Sequence, residues 1–195
     1  MLFKAISGCW FYFWGHIFSI FYDRKYIKGK WFKGRFGGIC ATGWRWVTKD
    51  IMARFFGSAK GSFARYPVGE NCFIICPENI EFHPDDLNNF HSFGTYFQAF
   101  GKIKIGKGTY IAPNVGIITS NHSFDNLDNH ETPKEVTIGE GCWIGMNSVI
   151  LPGVILGNKT IVGAGSVVTK SFEKGNCVIA GNPAKLIKTL DEKEQ

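Results

Sequence analysis

Between Ile138 and Val168 an aliphatic residue returns at every sixth position: Ile138, Ile144, Ile150, Leu156, Val162 and Val168. Gly follows at once after Ile138, Ile144, Leu156 and Val162. Four positions after each aliphatic the side chain is small: Cys142, Ser148, Val154, Thr160 and Ser166. The register extends upstream through Ile105-Gly106, Ile111-Ala112 and Ile117. It is weaker at Phe93-Gly94 and Ala99, and at Val68-Gly69, Ile74 and Ile80. A helix repeats every 3.6 residues and a strand every 2, so neither alone gives a period of six. A β-helix with three six-residue sides does, each side sending one aliphatic inward and turning where only small residues fit.

The 195 residues suit one domain with a sizeable core. The cysteines are Cys9, Cys40, Cys72, Cys76, Cys142 and Cys177, with no Cys-x-x-Cys pair, and read as reduced packing thiols of a cytoplasmic protein. Charge is lopsided. Residues 1–67 carry twelve Lys or Arg against Asp23 and Asp50, while residues 68–195 carry ten against fourteen acids. No nucleic-acid recognition motif accompanies the basic third, so nucleic acid is not an expected partner. Its basic residues interleave with Trp and Phe, as in Tyr26-Ile27-Lys28-Gly29-Lys30-Trp31-Phe32-Lys33. That pattern suits either a solvated face beside an aromatic core or a membrane surface met through residues 1–35, at the inner face of the cell membrane. Ala5 to Tyr22 is uncharged and aromatic. It reads as a capping helix, a surface-lying helix or a short span, and no secretory cleavage pattern follows it.

The chain divides into an aromatic, basic segment over 1–67, a coil domain over 68–188 and a charged tail over 189–195. Residues 1–22 read as helix and 23–67 as irregular. The composition of Pro84-Asp85-Asp86-Leu87-Asn88-Asn89 marks a turn. Ile117 to Ile138 is twenty-one residues, three more than a whole coil, which indicates an inserted polar loop at about 121–135. Loops on rigid scaffolds are frequent carriers of function. Leu186 to Gln195 reads as a short charged helix.

Asn121-His122-Ser123, Trp143-Ile144-Gly145, Gly163-Ala164-Gly165-Ser166-Val167-Val168-Thr169-Lys170 and Ala180-Gly181-Asn182-Pro183-Ala184-Lys185 resemble the hexapeptide-repeat acyltransferases. Within that family the pattern is most similar to sugar and capsular-polysaccharide O-acetyltransferases. The resemblance implies an all-β solenoid, a left-handed parallel β-helix, working as a homotrimer with its sites between adjacent copies. It also implies transfer of acetyl from acetyl-CoA to a carbohydrate hydroxyl, with no metal. His122 would be the general base, since neutral imidazole titrates near working pH. His130 would be a loop or acceptor contact. The Met146 backbone N–H would hold the oxyanion. Trp143, Ala164, Thr169, Lys170, Lys185 and Lys188 would contact the donor, and Gln98, Asn121 and Asp125 the acceptor. Asp85 and Asn88 are weaker acceptor candidates.

Alternatives remain open at this stage. The acceptor could be a small molecule such as a free sugar, amino sugar, amino acid or antibiotic, or the acyl group a fatty chain. The five His (His16, His83, His91, His122 and His130) lack the spacing of a three-His zinc site. A non-catalytic scaffold of a glycan assembly complex is the reading of a different class.

Overall fold

The computed structural model describes residues 2–33, 37–59 and 61–190; the end of the charged tail, 191–195, lies outside them. Two helices lead, α1 (Leu2–Phe18) and α2 (Thr42–Phe55). Among the described residues fourteen short strands follow: β1 (Phe73–Ile75), β2 (Ile80–Phe82), β3 (Tyr96–Gln98), β4 (Ile103–Ile105), β5 (Tyr110–Ile111), β6 (Gly116–Ile118) and β7 (Val136–Ile138). The rest are β8 (Trp143–Ile144), β9 (Val149–Ile150), β10 (Ile155–Leu156), β11 (Thr160–Val162), β12 (Val167–Val168), β13 (Cys177–Gly181) and β14 (Ala184–Thr189).

The strands form three sheets. Sheet A is ordered β1-β3-β6-β9-β12, sheet B β10-β7-β4-β2, and sheet C β14-β13-β11-β8-β5. From β3 to β12 the chain visits A, B and C in rotation, and every pairing but the last is parallel. Ile138, Ile144 and Ile150 therefore lie against Leu156, Val162 and Val168 of the next coil, eighteen residues on. All six are buried, as are Cys142, Ser148, Val154, Thr160 and Ser166. Buried hydroxyls need partners, and the corner glycines supply carbonyls. Ser148 Oγ donates to Gly163 O at 3.0 Å and Thr160 Oγ1 to Gly157 O at 2.7 Å. The glycine after the aliphatic is required by coil stacking: a Cβ on Gly145 would stand 2.6 Å from Val162 O.

Several expectations are corrected. Ile105 pairs with Ile138 and Ile117 with Ile150, so Ile117 to Ile138 is one side of a coil plus an insertion at a single corner, not a coil and three residues. In the early coils the inward residue of sheet A is Phe97, while Phe93 is 64% exposed. There a 3-10 segment, Pro84–His91, replaces a strand of sheet C and breaks the six-residue count. The stretch read as irregular contains α2, and the stretch read as a C-terminal helix starts as the second half of β14, antiparallel to β13.

The helices are joined to the coils by a buried carboxylate. Asp50 accepts from Tyr22 Oη at 2.7 Å, Val68 N at 3.1 Å and Arg54 Nε at 2.8 Å. Burial raises the Asp50 pKa even though Arg54 and these donors favour its ionised form. Among the described residues no helix is long and apolar enough to cross a membrane.

Candidate active site

The insertion is a small closed hairpin at the corner between β6 and β7. Ser123 N donates to Asn129 O at 2.8 Å, Glu131 N to Asn121 O at 2.9 Å, and Lys134 N to Thr119 O at 2.7 Å. Its tip is held by Asn126, whose Oδ1 accepts the Asp128 amide at 2.9 Å and whose carbonyl accepts Asn129 N at 3.0 Å. His122 and His130 form a bridge across it, with ring centroids 4.4 Å apart.

The root of the hairpin is tied to the coil below. Gln98 Oε1 accepts the Ser120 amide at 3.0 Å, and Thr119 Oγ1 donates to Gln98 O at 2.6 Å. Gln98, expected to grip an acceptor, holds through its Oε1 the backbone two residues before His122. Sequence reasoning had no signal for this contact.

His122 Nδ1 lies 2.6 Å from Leu127 O. A carbonyl only accepts, so Nδ1 carries the hydrogen and the neutral ring presents its lone pair at Nε2. His122 is exposed, with its acceptor nitrogen free of the hairpin's own bonding. Asn121 and Asp125 are exposed beside it; the Asp125 amide donates to Ser123 Oγ at 3.3 Å. Thr169 and Lys170 occupy the same A-to-B corner two coils further on, about 10 Å away at sheet spacing. Lys170 Nζ stands 5.7 Å from the Phe172 ring centre.

The remaining candidates lie elsewhere on the same molecule. Met146 is in the turn from β8 to β9, at the C-to-A corner. The amides flanking it are engaged, Gly145 N with Val162 O at 2.9 Å and Asn147 N with Pro113 O at 3.2 Å. The Met146 amide meets no acceptor among the described residues. Ala164 stacks one coil beyond, where Gly165 N donates to Met146 O at 2.8 Å. Gly165, at φ +71°, has nothing within 4 Å of where a Cβ would be, so this corner is open to a thin ligand.

Trp143 faces outward on sheet C, between Tyr110 and Ile161. The column continues through Val178 to Lys188. A register shift opposite Ile187 pairs Leu186 with Ile179 and Lys185 with Ala180. Without it Lys185 and Lys188, three apart, would point to opposite faces; with it both share the outward face of Trp143. Tyr110, absent from the sequence reading, joins this surface, and its register with Trp143 is the signal that finds it.

Two groups result. Gln98, Asn121, His122, Asp125, Thr169 and Lys170 gather at one corner; Trp143, Met146, Ala164, Lys185 and Lys188 gather on sheet C and the corner beyond it. The width of sheet A, six residues or roughly 20 Å of extended chain, separates His122 from Met146. Among the described residues no group of His, Cys, Asp and Glu could hold a metal ion.

Residues 135–170 match the family described as bacterial transferase hexapeptide (six repeats). The chain is 38% identical over 154 residues to a putative acetyltransferase of Dictyostelium discoideum, covering 75% of each. The chain belongs to the hexapeptide-repeat acetyltransferase family. This acetyltransferase is also 43% identical over 98 residues to a putative lipopolysaccharide biosynthesis O-acetyl transferase of Escherichia coli, the match spanning half of that relative's length. A solved maltose O-acetyltransferase from Clostridium difficile is similar at 32% identity and TM-score 0.56, covering 75% of this chain and 76% of the other.

Proposed function

We propose that the chain moves an acetyl group from acetyl-CoA to a hydroxyl of a sugar in a capsule, O-antigen or exopolysaccharide unit, with His122 as general base. The observation that carries this is the 2.6 Å bond from His122 Nδ1 to Leu127 O, which leaves Nε2 as proton acceptor on an exposed hairpin. The names of a maltose O-acetyltransferase matched over about three quarters of each chain, and of a lipopolysaccharide O-acetyl transferase matched over half of its length, support the acceptor class.

The acceptor hydroxyl gives its proton to His122 Nε2 as its oxygen bonds to the thioester carbonyl carbon. The Met146 N–H holds the charge on the carbonyl oxygen. The C–S bond then breaks, and the departing thiolate recovers the proton from His122. Direct transfer of this kind needs no covalent enzyme intermediate. Base and oxyanion donor must each lie about 3 Å from the reacting centre, and one copy holds them roughly 20 Å apart. A left-handed β-helix assembled as a homotrimer, with the hairpin corner of one copy against sheet C of the next, joins the two groups.

In that cleft Ala164 and the open Gly165 corner would admit the pantetheine arm, beside Thr169 and a Trp143 wall. Lys170, Lys185 and Lys188 would meet the phosphates as point charges. Asn121 and Asp125 would contact the acceptor, with Gln98 holding the hairpin root. The work is cytoplasmic, at the inner face of the membrane, where a lipid-carried repeat unit would be met.

The test is CoA release from acetyl-CoA over a panel of mono- and oligosaccharides, comparing wild type with His122→Ala. Turnover on a sugar class that falls at least about 10²-fold in the variant supports the reading. Equal turnover by the variant, or acetyl-CoA binding too weak to detect in either protein, removes it.

A further inference from the structure

Helix α1 is amphipathic with its apolar side turned outward. Ile6, Trp10, Phe13 and Ile17 recur at intervals of three and four, and Ile20 follows in the 3-10 turn Ser19–Phe21 that continues the helix. All five are exposed, Phe13 at 61% and Ile20 at 77%. Such spacing puts them on one stripe, roughly 20 Å long at helical rise. Trp14 and Phe21 widen it. Apolar stripes on surface helices normally face a core, and patches of several hundred Å² left open mark interaction sites.

Among the described residues nothing covers the stripe. The opposite face of α1 is already committed to α2. His16 stacks on Trp44 at 3.7 Å, Thr48 Oγ1 donates to Phe11 O at 3.3 Å, and a Cβ on Gly15 would stand 2.9 Å from Trp44 O. Positions 8, 11, 12 and 15 point about half a turn away from 6, 10, 13 and 17. Between the helices Trp10, Trp14, Phe18, Ile51, Met52, Phe55 and Phe56 line an apolar groove of about 410 Å³. Phe55 is 82% exposed at its rim.

Charge distinguishes the possible occupants. Residues 2–22 contain no acid, and Arg24, Lys25, Lys28, Lys30 and Lys33 follow directly. The only acids of the first 67 residues are engaged, Asp23 with Arg65 at 3.8 Å and Asp50 with Arg54. Lys49 and Glu70 both line the recess beside Trp10, Met52 and Phe56, so the cationic excess comes from the segment after α1 rather than from that recess. A second copy brought against this face would oppose one strongly basic unit to another. An anionic lipid surface would complement the charge and take up the aromatics, since Trp and Phe seat well at the boundary of headgroups and acyl chains.

We propose that the outward face of α1, with the groove it forms against α2, docks flat on an anionic phospholipid bilayer. The helix lies in the interface without crossing it, consistent with its length. This deepens the membrane-side reading of the function above and rests on it only for what the surface serves.

The test is co-sedimentation of the full chain with phosphatidylcholine vesicles, with and without about a third phosphatidylglycerol. Phe13→Gln/Ile17→Gln removes apolar area and Arg24→Gln/Lys28→Gln removes charge; all four residues are exposed and away from the α2 contact. Wild type is expected to partition onto anionic vesicles, the apolar variant at least about tenfold less. The charge variant should bind more weakly, and added salt should weaken wild type. Failure of wild type to sediment at low salt, or equal binding to neutral vesicles, overturns the proposal. So does an apolar variant that binds normally. His122→Ala should bind vesicles as wild type does, and both surface variants should keep CoA release on a soluble sugar. A failed membrane result is thus separable from a failed catalytic one.

Discussion

Nδ1 of His122 donates to the carbonyl of Leu127 across 2.6 Å, so the ring is oriented by the backbone of its own hairpin. No buried carboxylate is needed to fix the tautomer. His122→Ala should lower kcat by about 10²-fold or more with a smaller change in KM. His130→Ala removes a ring 4.4 Å away but not the acceptor nitrogen, and should retain within about tenfold of wild-type kcat. Steady-state CoA release separates the two.

Gln98 anchors the hairpin root through its Oε1 to the Ser120 amide. Gln98→Leu should cost about 1 kcal/mol in urea unfolding and lower kcat, because the loop bearing His122 loses its tether. Gln98→Glu keeps an acceptor oxygen and should recover most of both. A Gln98→Leu protein with unchanged kcat and a raised acceptor KM would instead assign Gln98 to the acceptor.

The shared outward face of Lys185 and Lys188 predicts a donor effect. Lys185→Gln and Lys188→Gln should each raise KM for acetyl-CoA several-fold, with kcat nearly unchanged. Deleting Ile187, the unpaired residue of the shift, leaves the two lysines two apart on a regular strand and so should keep KM for acetyl-CoA near wild type. Inserting a second residue there should instead turn one lysine to the other face and mimic its loss. Initial rates against acetyl-CoA concentration decide this.

His91 stacks on Trp46 at 3.9 Å, and its buried Nε2 finds no partner. Burial lowers its pKa from the ordinary 6.5 of a histidine to about 3. The unfolded chain therefore binds a proton that the folded chain refuses between those values, and stability falls as pH drops below about 6.5. From pH 6.5 to 5 the loss is about 2 kcal/mol. His91→Phe should flatten this part of the profile, read from urea midpoints at each pH.

Gly145 lies where core and site meet. Gly145→Ala places a methyl 2.6 Å from Val162 O and should destabilise by about 1–3 kcal/mol. It should also displace the Met146 amide, so kcat should fall more than unfolding accounts for. Ile150→Ala, fully buried but distant from that amide, should cost about 2–5 kcal/mol while sparing kcat of the folded fraction.

The coils from Ile138 to Val168 were legible because each side repeats one inward aliphatic and one small corner residue, and every coil has eighteen residues. The early coils were not, because the 3-10 segment Pro84–His91 lengthens them and Phe97 takes the inward place. Strand β14 escaped because its order comes from pairing with β13, while its own lysines show no alternation. Helix α2 mixes Trp, Thr and Val with its charged residues, and its buried Val47, Thr48, Asp50 and Ala53 are fixed by packing that spacing alone did not reveal. The motif singled out His122 as the candidate base, and the Leu127 contact is the observation that supports it. That His122 and Met146 stand at different corners could have been read too, since Ile117 and Ile144 head different sides. The Leu127 and Gln98 contacts depend on how the hairpin closes, and no local pattern encodes that.

The hairpin leaves and rejoins the chain at one corner, between Ile118 and Val136, and the pairings Ile105 to Ile138 and Ile117 to Ile150 continue past it undisturbed. The chain thus separates what must persist from what can vary. A hairpin of another length or composition could be exchanged at this junction while the inward ladder stayed in register, so the chemistry carried by His122 could be gained or lost without reopening the question of whether the molecule folds.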